Sequence, residues 1–158
     1  MFRPLRRRER ELPLEECREI LTRETRGVLS VNGDGGYPYG MPMNHYYDGE
    51  ENCLYFHCGR GGHRLDALVE SDKVSFCVYE AGTKAAEDWA YTVRSVIVFG
   101  RMEVLWDREK IIAVTTALCH KFPCGEEYIK EEIARSAAQT LLLKLTPEHI
   151  CGKKVKEE

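Results

Sequence analysis

From Tyr37 to Tyr47 large side chains take every second position, and two of the positions between them are prolines, Pro38 and Pro42. In an extended strand Tyr37, Tyr39, Met41, Met43, His45 and Tyr47 share one face, and the prolines share the other. Two missing N–H donors rule out a central strand, so the segment belongs at a sheet edge or is locally unpaired. It then leaves backbone groups free for a ligand, or serves as a blunted edge. The alternating run Gly27–Asn32 precedes it, and Gly33-Asp34-Gly35-Gly36 between the two is a strong hairpin signal. The sheet therefore begins with an antiparallel pair whose second strand lies at a margin.

The remaining elements follow at short spacing. Pro13 can open a helix whose stripe is Leu14, Cys17, Ile20 and Leu21. Strands are expected over 53–58, 73–80, 91–106 and 139–145, with a bend at Gly100 in the third. Helices are expected over 63–70, from the Asp107 cap to about Lys121, and from Gly125 to Ala138. Antiparallel strands without βαβ alternation predict a mainly β fold, a β-barrel of about six antiparallel strands with added helices. At 158 residues one domain is expected, running over 13–150 between a basic arm, 1–12, and a polar tail, 151–158.

Cys53–Leu68 carries the clearest functional pattern. Leu54, Phe56 and Cys58 alternate with Cys53, Tyr55 and His57, and the strand breaks into Gly59-Arg60-Gly61-Gly62. His63 and Arg64 then open a helix. Free N–H groups at a helix N-terminus, its dipole and a guanidinium together make an anion seat. The loop has neither dinucleotide nor P-loop glycine spacing. A solvent-exposed loop beside an ordinary surface helix is the competing reading.

Several function classes drop out. Seven scattered cysteines without a C-x-x-C pair indicate free thiols and a cytoplasmic protein, not a disulfide framework. Adjacent His57 and Cys58 point to opposite faces of a strand, so no metal site is expected. No apolar run is long enough for a membrane span, and the N-terminus lacks the apolar core of a secretory signal. Arg3, Arg6, Arg7, Arg8 and Arg10 make the arm basic, but at a net charge of −3 a solvated tail is expected and no nucleic-acid partner.

Five segments in order, RERELP (8–13), GYPYGMPMNHYYDG (36–49), LYFHCGRGGHRLDAL (54–68), RSVIVFGR (94–101) and ICGK (150–153), resemble the FMN-binding split-barrel family related to pyridoxamine 5'-phosphate oxidase. More narrowly they resemble its nitroimidazole-resistance branch. The resemblance implies a split-barrel homodimer with FMN at the interface and a small-molecule electron acceptor. It implies that Met41, Pro42, Met43 and Asn44 run along the flavin ring and ribityl chain. Phe56, His57 and Cys58, with His63 and Arg64, would hold ribityl and phosphate, and Ser95 would approach the ring. The expected function is two-electron reduction of nitro compounds or similar acceptors, with catalytic residues left open. The alternatives are a non-catalytic flavin-binding or redox-sensing protein, or a haem-binding split barrel. His63 stands where the oxidases carry a second permanent cation, and the chain lacks their Arg- and Trp-rich C-terminal segment, so vitamin B6 oxidation is not expected.

Overall fold

The computed structural model describes residues 1–157. Helix α1 (Leu14–Arg23) buries Cys17, Ile20 and Leu21 against the barrel, while Leu14 at its first turn stays exposed. The hairpin β1 (Arg26–Asn32) and β2 (Pro38–Asn44) follows, turning through Gly35 and Gly36 at φ 62° and 79°, values that favour glycine. Next come β3 (Tyr46–Asp48), β4 (Cys53–Cys58), α2 (His63–Glu70), β5 (Lys73–Tyr79) and the long β6 (Thr92–Leu105). The chain ends with α3 (Arg108–Cys119), α4 (Glu126–Ser136) and β7 (Leu141–Lys156). Asp107 caps α3 as expected, its carboxylate accepting from the Lys110 N–H at 2.6 Å.

All seven strands form one antiparallel sheet in the order β2-β1-β5-β6-β7-β4-β3. Its two margins, β2 and β3, are consecutive pieces of one segment parted only at His45. The first piece pairs with β1 and the second with β4. The sheet therefore curls until a single proline-bearing segment serves as both edges, and six staves enclose the core. Inside lie Leu29, Phe56, Phe76, Val96, Val98 and Leu143, all fully buried. The bend expected at Gly100 is a register shift between Phe99 and Gly100, and a Cβ there would stand 2.1 Å from the Thr146 carbonyl oxygen. Only glycine admits that approach.

Three points correct or add to the expectations. The last strand does not stop at Leu145. It runs to Lys156, because β6 is long enough to pair Thr92 through Leu105 with it, so residues read as a polar tail lie in the sheet. Second, β4 is covered on both faces from Cys53 to Phe56. Its outer face, Cys53 and Tyr55, is covered by Ile111 and Val114 of α3. Glu51 fastens that helix down by accepting from Lys110, from the Tyr55 hydroxyl at 2.7 Å and from Lys144 at 3.0 Å, which holds its carboxyl down to about 2. Third, the basic arm is not a free tail. Phe2 stacks on His149, with ring centroids 4.8 Å apart, and the Leu12 N–H donates to the Gly152 carbonyl at 3.0 Å.

Candidate functional site

The strand-loop-helix turn between β4 and α2 supplies the first part of the site. Of its glycines only Gly62 has a φ that demands glycine, +105°. A Cβ at Gly59, Gly61 or Gly62 would meet no protein atom within 4 Å, so packing does not explain three glycines in four residues. They leave an open cradle over the first turn of α2. No side chain caps that turn, so its leading N–H groups face the cradle without a side-chain acceptor.

Arg64 occupies the cradle's inner wall. Its Nη1 lies 3.0 Å from the Met43 sulfur and 3.7 Å from that of Met41. Its Nε is buried with no hydrogen-bond partner, and among the described residues no carboxylate pairs with it. A guanidinium resting on two thioethers keeps its charge uncompensated. His63 behaves differently. It stacks on Tyr39, ring centroids 4.3 Å apart, and leans back onto the β1–β2 turn, where its Nε2, also buried without a hydrogen-bond partner, lies 3.5 Å from the Asp34 carboxylate. Of the two basic residues, Arg64 is the unpaired cation.

Met41, Met43 and Cys58 gather beside Arg64, and burial pushes the Cys58 thiol up despite that neighbour. Phe56 is fully buried in the barrel and reaches nothing outside it. Pro42 faces outward and exposed. Asn44 and His57 share the wall of a cavity of about 320 Å³ under α3 and α4. The Asn44 side-chain oxygen accepts from Arg26 Nε at 3.2 Å. Desolvation first, and the Arg64 charge second, hold His57 below the usual histidine value. Ser95 is not brought to this group within one chain. Asn44 pairs with Arg26 and Ser95 with Tyr79, which puts Ser95 three strand spacings away, about 14 Å along the wall. His45, weighed as a proton donor, is fully buried, its Nε2 2.7 Å from the Leu21 carbonyl and its pKa lowered to about 4 by burial and then by Lys121. It is a core residue. Trp89 and Tyr91 stand exposed on the loop before β6.

A model of the pyridoxamine 5'-phosphate oxidase family matches residues 13–154, nearly the whole folded domain. The chain belongs to this family. The family's split-barrel fold recurs in solved structures of low sequence identity. A conserved hypothetical protein of Mycobacterium tuberculosis superposes with a TM-score of 0.78 at 15% identity, covering 95% of this chain and 90% of that one. A provisionally assigned 5-nitroimidazole antibiotic resistance protein of Bacteroides thetaiotaomicron gives 0.72 at 17%, covering 93% and 87%. An FAD-binding protein of Mesorhizobium loti gives 0.67 at 24%, covering 92% and 97%. No curated protein matches the chain.

Proposed function

We propose that this family member is an FMN-binding flavoprotein, a cytoplasmic homodimer that passes electron pairs to a small acceptor such as a nitro compound. The observation that carries this reading is Arg64, an unpaired guanidinium beside an open glycine cradle at a helix N-terminus. Such a seat suits one terminal phosphate, and FMN ends in one. The FAD-binding and nitroimidazole-resistance relatives support the flavin and the acceptor class.

Pairing supports the second copy. Pro42, Val28, Cys77, Ile97 and Cys151 stand in register across five strands on the outer wall, Pro42 exposed and the other four half-buried. An apolar sheet face of this kind needs a cover. Ser95 lies on the same outer face, where it can serve a flavin shared between two subunits. All seven cysteines are free thiols, which fits a reducing compartment, and among the described residues no helix is long and apolar enough to cross a membrane.

Bound FMN supplies the two-electron chemistry. Arg64 and the first-turn N–H groups of α2 neutralise and orient the phosphate. The Asn44 oxygen is engaged by Arg26, which leaves its NH₂ free to donate to a ring carbonyl. His57, with its lowered pKa, is neutral at pH 7 and offers a hydrogen bond without adding charge. Reduction of a nitro group to nitroso takes two electrons and two protons and releases water.

The test is the absorbance spectrum of freshly purified protein, followed by mass identification of the released pigment and anaerobic titration of the reduced protein with a nitroaromatic. Flavin bands, released FMN and stoichiometric reoxidation are expected. A colourless protein that takes up no added FMN overturns the reading.

A further inference from the structure

The cavity under α3 and α4 differs in kind from the phosphate cradle. Asn44 and His57 form its barrel side; Leu118, Cys119 and Phe122 give it an apolar opposite wall. Its volume, about 320 Å³, suits a molecule of one or two rings. Three hydroxyls in or beside it are already committed to the helix backbone. Thr116 donates to the Ile112 carbonyl at 2.8 Å, Ser136 to Glu132 at 2.7 Å and Thr140 to Ser136 at 2.9 Å. Thr115 breaks the pattern. Its hydroxyl oxygen is buried and has no partner, although a carbonyl one turn back is the usual acceptor.

The charged groups on the helix side of the cavity are engaged as well. Glu132, the charged residue in its lining, is paired with Arg135. Lys121, next to Phe122, donates to the backbone carbonyls of Glu24 at 2.6 Å and His45 at 3.0 Å. Neutral His57 adds no cation. The lining itself holds no cation and includes the Glu132 carboxylate, while Arg26, bonded to Asn44, and Arg64, near His57, lie behind the barrel side, so a carboxylate ligand would meet like charge in the wall. One wall of the cavity is apolar, its lining holds no cation, and the Thr115 hydroxyl is a free donor.

We infer that this cavity seats the electron acceptor, that the acceptor is an uncharged nitro- or carbonyl-bearing aromatic, and that Thr115 is the specificity-determining residue donating to its oxygen. The inference rests on the flavin reading, because His57 and Asn44 form the wall toward the proposed flavin. It gives the two helices between β6 and β7 a role of their own.

The test measures equilibrium binding of 2-methyl-5-nitroimidazole and of 4-nitrobenzoate to the purified protein, with flavin content recorded for every sample. The neutral compound should bind at least ten-fold more tightly than the anion. Thr115→Val, which keeps the shape and removes the donor, should weaken the neutral ligand about three- to ten-fold, the worth of one neutral hydrogen bond. Ser136→Trp, which fills the cavity from its partly exposed side, should abolish binding. Flavin content should be unchanged in both variants. Equal binding of the two compounds, or undiminished binding in both variants, overturns the inference. So does a parallel loss of flavin, which would make the cavity part of the flavin seat. A colourless protein that still binds the neutral compound through Thr115 would sink the flavin reading and leave the cavity assignment standing.

Discussion

Replacing Arg64 by alanine separates ligand binding from folding in a way an ordinary surface arginine would not. In the free protein Arg64 Nε is a buried donor without a partner, and the guanidinium touches only sulfur among acceptors. An unsatisfied buried donor costs on the order of 1–3 kcal/mol. Its removal should therefore leave the flavin-free protein as stable as before, or more stable by about 1 kcal/mol, a rise of roughly 2–4 °C for a chain of this size. Affinity should move the other way. Hydrogen bonds to a charged group are worth about 1.5–3 kcal/mol, so the loss of about 2 kcal/mol weakens FMN roughly 30-fold. At FMN a hundred-fold above the wild-type Kd, ligand stabilisation is about 2.7 kcal/mol; with a 30-fold weaker site it falls to about 0.9 kcal/mol. The assay is thermal unfolding with and without FMN, with fluorescence titration for Kd. The ligand-induced shift should shrink to about a third while the free protein holds its melting temperature. An unchanged Kd would refute the phosphate seat, and a free variant melting several degrees lower would refute the claim that Arg64 is unsatisfied.

His45 sets an acid limit. Its pKa is near 6.5 in the unfolded chain and about 4 in the folded one, so between those values the unfolded chain binds more protons and stability falls on acidification. The loss from pH 7 to pH 4 should be about 3 kcal/mol by urea unfolding, and His45→Gln should flatten that dependence. Gly100→Ala should destabilise by at least about 3 kcal/mol in the same assay, since its Cβ would collide with backbone at Thr146. Ile97→Asp, in the apolar row of the outer wall, should convert a dimer to a folded monomer on size-exclusion chromatography; an unchanged elution volume would place the interface elsewhere.

Local chemistry made much of this legible in advance. The Gly33–Gly36 turn, the Asp107 cap, the Gly100 bend and the β4–α2 break each depend on a few adjacent residues, and each stands where the sequence pattern puts it. What failed depends on partners distant in the chain. Nothing local announces that α3 will cover Cys53 and Tyr55. Lys153–Lys156 read as a polar tail outside the sheet because lysines in a strand look like a tail unless the length of β6 is known. The site was legible as residue types but not as a division of labour. That Arg64 rests on Met41 and Met43 while His63 stacks on Tyr39 near Asp34 follows from side-chain direction, as does the unpartnered hydroxyl of Thr115.

The segment that forms both sheet margins has a kinetic consequence. A cylinder joined along one strip opens most readily at that strip, and here its two sides are unequal: seven residue pairs tie it to β1 but only three tie it to β4. Fastenings at the break add to the β1 side instead, where the His45 N–H donates to the Thr25 carbonyl at 3.3 Å and Lys121 holds the His45 carbonyl. Amide exchange should therefore be fastest along Tyr46–Asp48 among the barrel strands. Because Met41–Asn44 belong to the same strip, a ligand that clamps them slows that opening, and its residence time is coupled to the breathing of the barrel itself.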